Sequence, residues 1–464
     1  MSFSSFTFLL LFLPAAVLCN LACRSIRAKN ACICAFSLVF YAWGEPVYVL
    51  LMLASILFNY LIGLGMARAP RGKKVLLILA VTVNIGAIVF FKYLDLLLSL
   101  WNGLTGQAIP PAEIALPIGI SFYTFQVLSY VIDVYKNRTE PQRNLISLAA
   151  YISMFPQLVA GPIVRYETIR EQLKERRVTA DDFAAGLCRT AAGLGKKVLL
   201  ANQLALTADA VFAGNQAVPG AALWIGAVCY ALQIYFDFSG YSDMAIGMGR
   251  MFGFTFPENF NEPYLSDSIT DFWRRWHISL SSWFREYVYI PLGGNRRGPA
   301  RQVFNLLVTW LLTGLWHGAS WNFALWGLYY GVLLILEKFV LGGGIRRIPS
   351  FLRHTGTLLI VLLGWVIFRV EDMGQLGAAF GEMFSFRTSG TAEWFLANAD
   401  ALRALPAAPV AMIACLPLRR MLLKRFGEKS WLPELGRIWA LVIWLLSLVM
   451  LLGESYNPFI YFRF

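Results

Sequence analysis

Charge is what this sequence has least of. Only 14% of its 464 residues are Asp, Glu, Lys or Arg and 58% are apolar, against roughly 25% and 45–50% in ordinary globular chains. A set of soluble domains has too little polar surface at that ratio. The seven cysteines form no CxxC pair and no Cys/His cluster at zinc spacing, which excludes a disulfide scaffold and a zinc site. They read as reduced residues of apolar runs. There is no G-X-Y period and no long heptad run, so collagen and coiled coil are excluded too. Walker loop, G-x-S-x-G elbow, H-E-x-x-H and EF-hand patterns are absent as well, and no metal or bound cofactor is expected. What remains is an all-α polytopic membrane protein, in which apolar side chains face lipid and core alike.

The 40 basic and 27 acidic residues give a net charge of +13. In a membrane chain the placement of Lys and Arg matters more than their sum, because they gather in cytoplasmic loops; no nucleic-acid partner is inferred from the excess. Apolar stretches near 4–23, 31–43, 47–67, 75–101, 114–135, 198–213, 223–249, 303–318, 321–341, 354–370, 405–418 and 432–453 predict about 11–12 crossings. The first has no basic leader and no small-residue cleavage site, so it reads as an uncleaved helix. Basic clusters at 24–29, 68–74, 136–143, 165–177, 296–301, 346–353 and 419–429 mark the cytoplasmic face. The alternate loops carry two Arg among six acidic residues. Both termini are therefore expected to lie outside the cytoplasm, in a single integral-membrane domain spanning 1–464.

Two apolar segments do not fit a simple crossing. Residues 145–163 have basic loops on both sides and contain Pro156 and Gly161-Pro162, which predicts a broken, re-entrant piece. Residues 266–292 carry an aromatic stripe at Phe272, Trp273, Trp276, Leu280, Trp283, Phe284 and Tyr287, interleaved with Arg274, Arg275, Arg285 and Glu286. That spacing predicts an amphipathic helix at the interface or dipping inward, with Ser268 and Asp271 starting it as a capping box.

Three histidines occur in the chain. His354 begins an apolar stretch and reads as an interfacial residue. His317 lies near the middle of the apolar stretch 303–341, both ends of which are on the basic side. At ~1.5 Å per residue that stretch reaches about 58 Å, enough to cross a ~30 Å core and return. His317 then sits deep in a hairpin, where an ionisable group is costly and is a functional candidate by default. Thr313 and Thr309 fall one and two turns before it, with hydroxyls for the imidazole, and Gly314 would leave room for a substrate. Burial keeps an imidazole neutral and able to accept a proton, which suits general-base activation of a hydroxyl. A satisfied core histidine between Trp316 and its aromatic neighbours is the plainer reading. Asp237 and Asp243, in the apolar stretch 223–249, leave a proton- or cation-coupled transporter open, as they do hydrogen-bonded packing with Ser239, Tyr241 and Ser242.

Together, QIYFDFSGYSDMAIGMGRMFGF (233–254), FWRRWHISLSSWFREYVYIPLGGNRRG (272–298) and TGLWHGASWNFALWG (313–327) resemble the membrane-bound O-acyltransferase (MBOAT) family, in the bacterial branch that O-acetylates alginate, peptidoglycan and cellulose. GISFYTFQ (119–126) and FPQLVAGPI (155–163) extend the likeness over most of the chain. The resemblance implies a ring of helices around a central tunnel, with His317 as the family's catalytic histidine and His277 as its second signature histidine. It implies substrate or tunnel contacts at Trp316, Thr313, Asn322, Trp276, Arg274, Arg275 and Asp237. It further implies a cytoplasmic thioester donor, acetyl-CoA, and transfer to an extracytoplasmic polysaccharide through a periplasmic SGNH-type acetyltransferase, in the lipid of a bacterial inner membrane. An acyl carrier protein docked on the basic face, delivering D-alanyl or another acyl group, is the alternative within the family. The tail 454–464 resembles the end of a small partner peptide of the D-alanylation system, which makes Tyr461, or less readily Tyr456, a candidate acyl relay; an aromatic belt residue is the plain alternative.

Overall fold

A computed structural model describes residues 1–213, 218–385, 390–427, 431–453 and 458–460. The described residues are mostly helical, joined by turns and loops, with no strand among them. Among the described residues six helices are long and apolar enough to cross a membrane: Tyr48–Arg68, Pro70–Thr105, Gly220–Met251, Trp321–Ile345, Ser350–Arg369 and Trp431–Gly453. The other apolar stretches named above form helices that are shorter or more polar, among them Ile120–Tyr135 and Pro299–His317. The chain is a multi-pass membrane protein.

It divides into two compact units, residues 1–190 with 241–257, and residues 191–240 with 258–460. In the first, the helix Ile120–Tyr135 (α1) packs against Tyr48–Arg68, Lys73–Ile88 and Leu145–Ser153, and nearly all its side chains are buried, polar ones included. Such a helix reads as apolar all round because it has no solvent face. Asn144 caps the helix Leu145–Ser153 (α2) by accepting from Ser147 N. The helix stops at Ser153, and a single turn, Phe155–Leu158, follows. The Phe155 N–H donates to Ser37 Oγ, and Gly161 lies so close to Gln157 that a Cβ would stand 2.7 Å from its Cα. Residues 147–164 are buried without exception, so this irregular backbone is enclosed by protein.

The second unit holds three features that place the site. The stretch 266–292 is two helices, Ile269–Arg275 (α3) and Ile278–Phe284 (α4), not the one amphipathic helix that the aromatic spacing predicts. The reason is the loop at 259–261: Asn261 N donates to Arg275 O at 3.0 Å and Ile278 N to Asn259 O at 2.9 Å. Both groups would serve a continuous helix, and His277 between them takes φ +44° instead. Ser268 caps α3, accepting from Asp271 N, and Glu337 reaches the same end, taking the N–H of Ile269 at 2.7 Å and of Thr270 at 3.2 Å.

Next comes the hairpin of Pro299–His317 (α5) and Trp321–Ile335 (α6), which pack along their length. A Cβ on Gly314 would lie 2.2 Å from Phe323 O, and one on Gly327 2.4 Å from Trp310 O. Gly314 is thus required for backbone to meet backbone. It makes no room for a substrate, which corrects the expectation for it. The third feature is Ser350–Arg369 (α7), which packs on α6. Asn322 Nδ2 donates to Ile367 O and Phe368 O, both at 3.2 Å, and binds the hairpin turn to the end of α7.

Gly314→Ala is expected to destabilise the protein by ~1–3 kcal/mol, as overpacking does, and to lower its thermal midpoint in detergent. Gly356→Ala, on α7 with nothing within 4 Å, should leave the midpoint unchanged or raise it.

Candidate active site

His317 is the last residue of α5 and stands at the hairpin turn, not in mid-helix. Its ring is held edge-on by three aromatics: Trp316 at 4.9 Å, Trp326 at 5.1 Å and Phe368 at 5.2 Å, with interplanar angles of 77°, 81° and 79°. Trp326 in turn packs against Trp273, Tyr330 and Trp365. These contacts leave His317 5% exposed. Its position at a helix C-terminus matters electrically, because the last carbonyls favour a positive charge there by ~0.3–1 kcal/mol.

His277 is 1% exposed and packs against Phe238 at 4.6 Å. Trp316 lies between the two histidines, 6.1 Å from His277. Nδ1 of His277 is 3.0 Å from Asn259 Oδ1. Burial pushes its pKa down to about 3, so the ring is neutral at physiological pH.

Both histidines line one cavity of about 1560 Å³, together with Trp273, Trp276, Thr309 and Thr313, a volume above the ~300–1,000 Å³ of common ligand sites. The rest of its wall is strongly basic: Arg274, Arg275, Arg285, Arg296, Arg297, Lys338 and Arg353 against Asp267, Asp271 and Glu337. The three acids are engaged. Asp267 binds Arg353 at 2.7 Å, Asp271 binds Arg275 at 2.9 Å, and Glu337 caps α3. Arg274, Arg285, Arg296, Arg297 and Lys338 remain as exposed cations on the wall. A polyanionic ligand is the chemical complement of such a wall.

Several expected site residues do other work. The hydroxyl of Thr313 donates to Thr309 O at 2.8 Å, and that of Thr309 to Asn305 O at 2.7 Å, so both protons go to carbonyls of their own helix and not to the imidazole. Asn322 and Trp316 do not line the cavity; the first ties the turn to α7 and the second packs between the histidines. Trp276 lines the cavity from within an aromatic cluster with Phe272 and Trp365. His354 Nδ1 lies 3.0 Å from Ser266 O and holds a loop.

Asp237 does not line this cavity either. It is buried with Lys197, Nζ to Oδ1 2.5 Å, both side chains 2% exposed. The pair also grips the chain near its end: Lys197 Nζ donates to Pro458 O at 3.1 Å and stands 4.7 Å from the Phe459 ring, and Ile460 N donates to Asp237 Oδ2 at 2.8 Å. Asp243, in the other unit, binds Arg189 at 2.8 Å. Each carboxylate of the transporter reading thus has a cation already. Tyr461 and Tyr456 lie outside the described residues. No group of three or more His, Cys, Asp or Glu that could hold a metal occurs among the described residues.

Sequence reasoning passed over Asn259, Ser279, Glu337 and Lys197. Lys197 carried a legible signal, a cation at the edge of an apolar stretch that needs a counter-ion. Asn259 carried none, since only the fold brings it to His277.

A family model described as MBOAT, membrane-bound O-acyltransferase family, matches residues 138–368. The probable alginate O-acetylase AlgI of Pseudomonas putida is 40% identical over the whole of both chains. A peptidoglycan O-acetyltransferase of Helicobacter pylori is 36% identical over 73% of this chain and 70% of its own. A teichoic acid D-alanyltransferase of Bacillus subtilis is 30% identical over 50% of this chain and 61% of its own.

Removing one partner of the buried pair, as in Lys197→Met or Asp237→Asn, should cost ~3–5 kcal/mol, because a buried charge or its hydrogen bonds are left uncompensated. The double variant Lys197→Met/Asp237→Leu should melt above Lys197→Met in a thermal scan. Additive losses would show that the pair is not coupled.

Proposed function

This chain belongs to the membrane-bound O-acyltransferase family, and from that premise we propose that it moves an acetyl group from cytoplasmic acetyl-CoA towards an extracytoplasmic polysaccharide. The observation that carries the reading is the single cavity lined both by the caged His317 and by the five cations Arg274, Arg285, Arg296, Arg297 and Lys338. Acetyl-CoA has phosphates for the cations and a thioester to reach the imidazole. A neutral imidazole suits the chemistry at the other end.

In the proposed step an acceptor hydroxyl gives its proton to His317, and its oxygen forms the new C–O bond to the acetyl carbonyl. The C–S bond breaks, and the imidazolium returns its proton to the departing thiolate. The imidazolium lives between those events at the C-terminus of α5, where its charge is favoured. The aromatic cage of Trp316, Trp326 and Phe368 keeps water from the acyl group.

The likeness to an alginate O-acetylase and a peptidoglycan O-acetyltransferase supports a polysaccharide as the final acceptor, reached through a periplasmic SGNH-type transferase. The setting we propose is a bacterial inner membrane with both termini outside, as the Lys and Arg placement suggests. Delivery of D-alanyl or another acyl group by a carrier protein is a second reading, favoured by the likeness to a teichoic acid D-alanyltransferase over half the chain. Asp237 and Asp243, each held by a cation, give transport no support.

Labelled acetyl-CoA added to vesicles containing the protein, its partner and an oligosaccharide tests the reading. Transfer without any carrier protein is expected, and His317→Ala should lower kcat roughly 10²–10⁴-fold. Removing Arg296 and Arg297 together should raise KM for acetyl-CoA far more than it lowers kcat. A His317→Ala protein that transfers acetyl at the normal rate sinks the mechanism, and a strict need for a carrier selects the second reading.

A further inference from the structure

The helix Pro70–Thr105 is too long for one crossing. Its 36 residues reach about 54 Å at ~1.5 Å per residue, against a hydrocarbon core of ~30 Å. Counted from Lys73, in the basic cluster at its start, Tyr93 already stands about 30 Å along the axis. There the helix changes. Val89–Tyr93 is a wide π turn, and Tyr93 leaves helical geometry at φ −115°, ψ −2°. Interruptions of this kind are where helices bend. The piece that follows, Leu94–Thr105, has no buried residue.

Its two faces are turned the opposite way from those of a helix on a wet surface. Asp95, Ser99 and Asn102, spaced i, i+4 and i+7, form a narrow polar stripe, and the chain's own loop lies on that side. Asp95 Oδ1 accepts from Ala112 N at 2.7 Å. Asn102 Nδ2 donates to Ile109 O at 2.7 Å, and its Oδ1 accepts from Ile109 N at 3.1 Å. The other face carries Leu97, Leu100, Trp101 and Leu104, at i, i+3, i+4 and i+7, all exposed, Leu104 by 85%. A helix bordering water turns its apolar stripe to the core and its polar side outward. Here protein covers the polar stripe, so the medium outside is apolar.

Continuity and charge select lipid over a second protein as that medium. The stripe follows on Val75, Ile78, Leu79 and Val83, exposed side chains of the spanning part of the same helix. Protein interfaces carry a polar rim in which Arg is prominent, and residues 93–135 include no Lys or Arg. Asp95, the one charge on Leu94–Thr105, is spent on the loop. We propose that Leu94–Thr105 is a membrane-interface helix, laid along the leaflet opposite the 68–74 cluster with Leu97, Leu100, Trp101 and Leu104 among phospholipid acyl chains. It holds the loop 106–112 at the bilayer surface. Trp101 fits the setting, because its ring faces outward while its Nε1–H donates to Gln107 Oε1 at 2.9 Å. With no cation on the helix, apolar burial alone keeps it there. Neither the cavity nor its histidines enter, so this helix and the acyltransferase reading stand or fall separately.

A helix lying in the interface puts Leu97 and Leu104 at one depth, whereas a helix running straight on sets them about 10 Å apart along the membrane normal. A nitroxide amino acid replacing Leu97, Leu100, Leu104 or Ser99 in turn, in the full-length protein in phosphatidylethanolamine and phosphatidylglycerol vesicles, separates the two. Power saturation with oxygen, which concentrates among acyl chains, and with a water-soluble nickel chelate reports the medium at each label. The three leucine positions should be open to oxygen and closed to nickel, with 97 and 104 within one helical turn's rise, ~5 Å, of the same depth. Ser99 should be less open to oxygen than any of them. Nickel reaching position 104 means that the helix projects into water, and overturns the proposal. Positions closed to both reagents mean that protein covers the stripe, and overturn it as well. So does a label at Ser99 that reads like one at Leu104. The three leucines are separate readings, so a label that prevents folding at one leaves two to decide.

Discussion

The contact that the site depends on is the backbone approach of two helices at Gly314 and Gly327. With no Cβ on either residue, α5 and α6 close to a separation at which Phe323 O and Trp310 O occupy the space a side chain would fill. In an apolar medium helices gain little from hydrophobic exclusion, so packing at small residues does much of the work of association. His317 comes three residues after Gly314, at the turn, and its position follows from that contact. Trp326, one residue before Gly327, is brought against the same ring. Had α5 and α6 stood further apart, the cage would have been open.

Several charges inside so apolar a chain are held by a fixed partner. Lys197 meets Asp237, Arg189 meets Asp243, Arg353 meets Asp267 and Arg275 meets Asp271. Such pairs repay at best the cost of desolvating them, which makes them devices of position more than of stability. Lys197 and Asp237 show this most plainly, because between them they also hold the carbonyl of Pro458 and the amide of Ile460. An ion pair that takes up a backbone C=O and an N–H two residues apart holds that short piece of chain in place.

What the sequence revealed and what it hid divide along physical lines. Spans, hairpin and buried histidine were legible because apolar length and the scarcity of ionisable groups are properties of the chain itself. Helical spacing placed Thr309, Thr313 and Gly314 on the face that carries His317, but spacing does not say where a hydroxyl proton goes, and both went to carbonyls one turn back. The aromatic stripe of 266–292 has a helical period and still breaks at His277, because the hydrogen bonds that break it, Asn261 to Arg275 and Ile278 to Asn259, come from a loop outside the stripe. Local pattern has no access to such a partner. Asp237 looked like a tunnel residue for the same reason, since Lys197 lies on another helix.

The two histidines of the cavity are unlike, and their surroundings say why one centre would need both. His317 ends a helix, where unsatisfied carbonyls lower the cost of a positive ring, and its neighbours are aromatic faces and edges that tolerate a change of charge. His277 is fixed by a hydrogen bond at Nδ1, sits at a break between two short helices, and is so deeply buried that its pKa falls to about 3. Protonating it would bury a charge, so between pH 7 and the low acid range it keeps one state. Trp316 packs against both rings, 6.1 Å from His277 and 4.9 Å from His317, and so ties the two elements that carry them together.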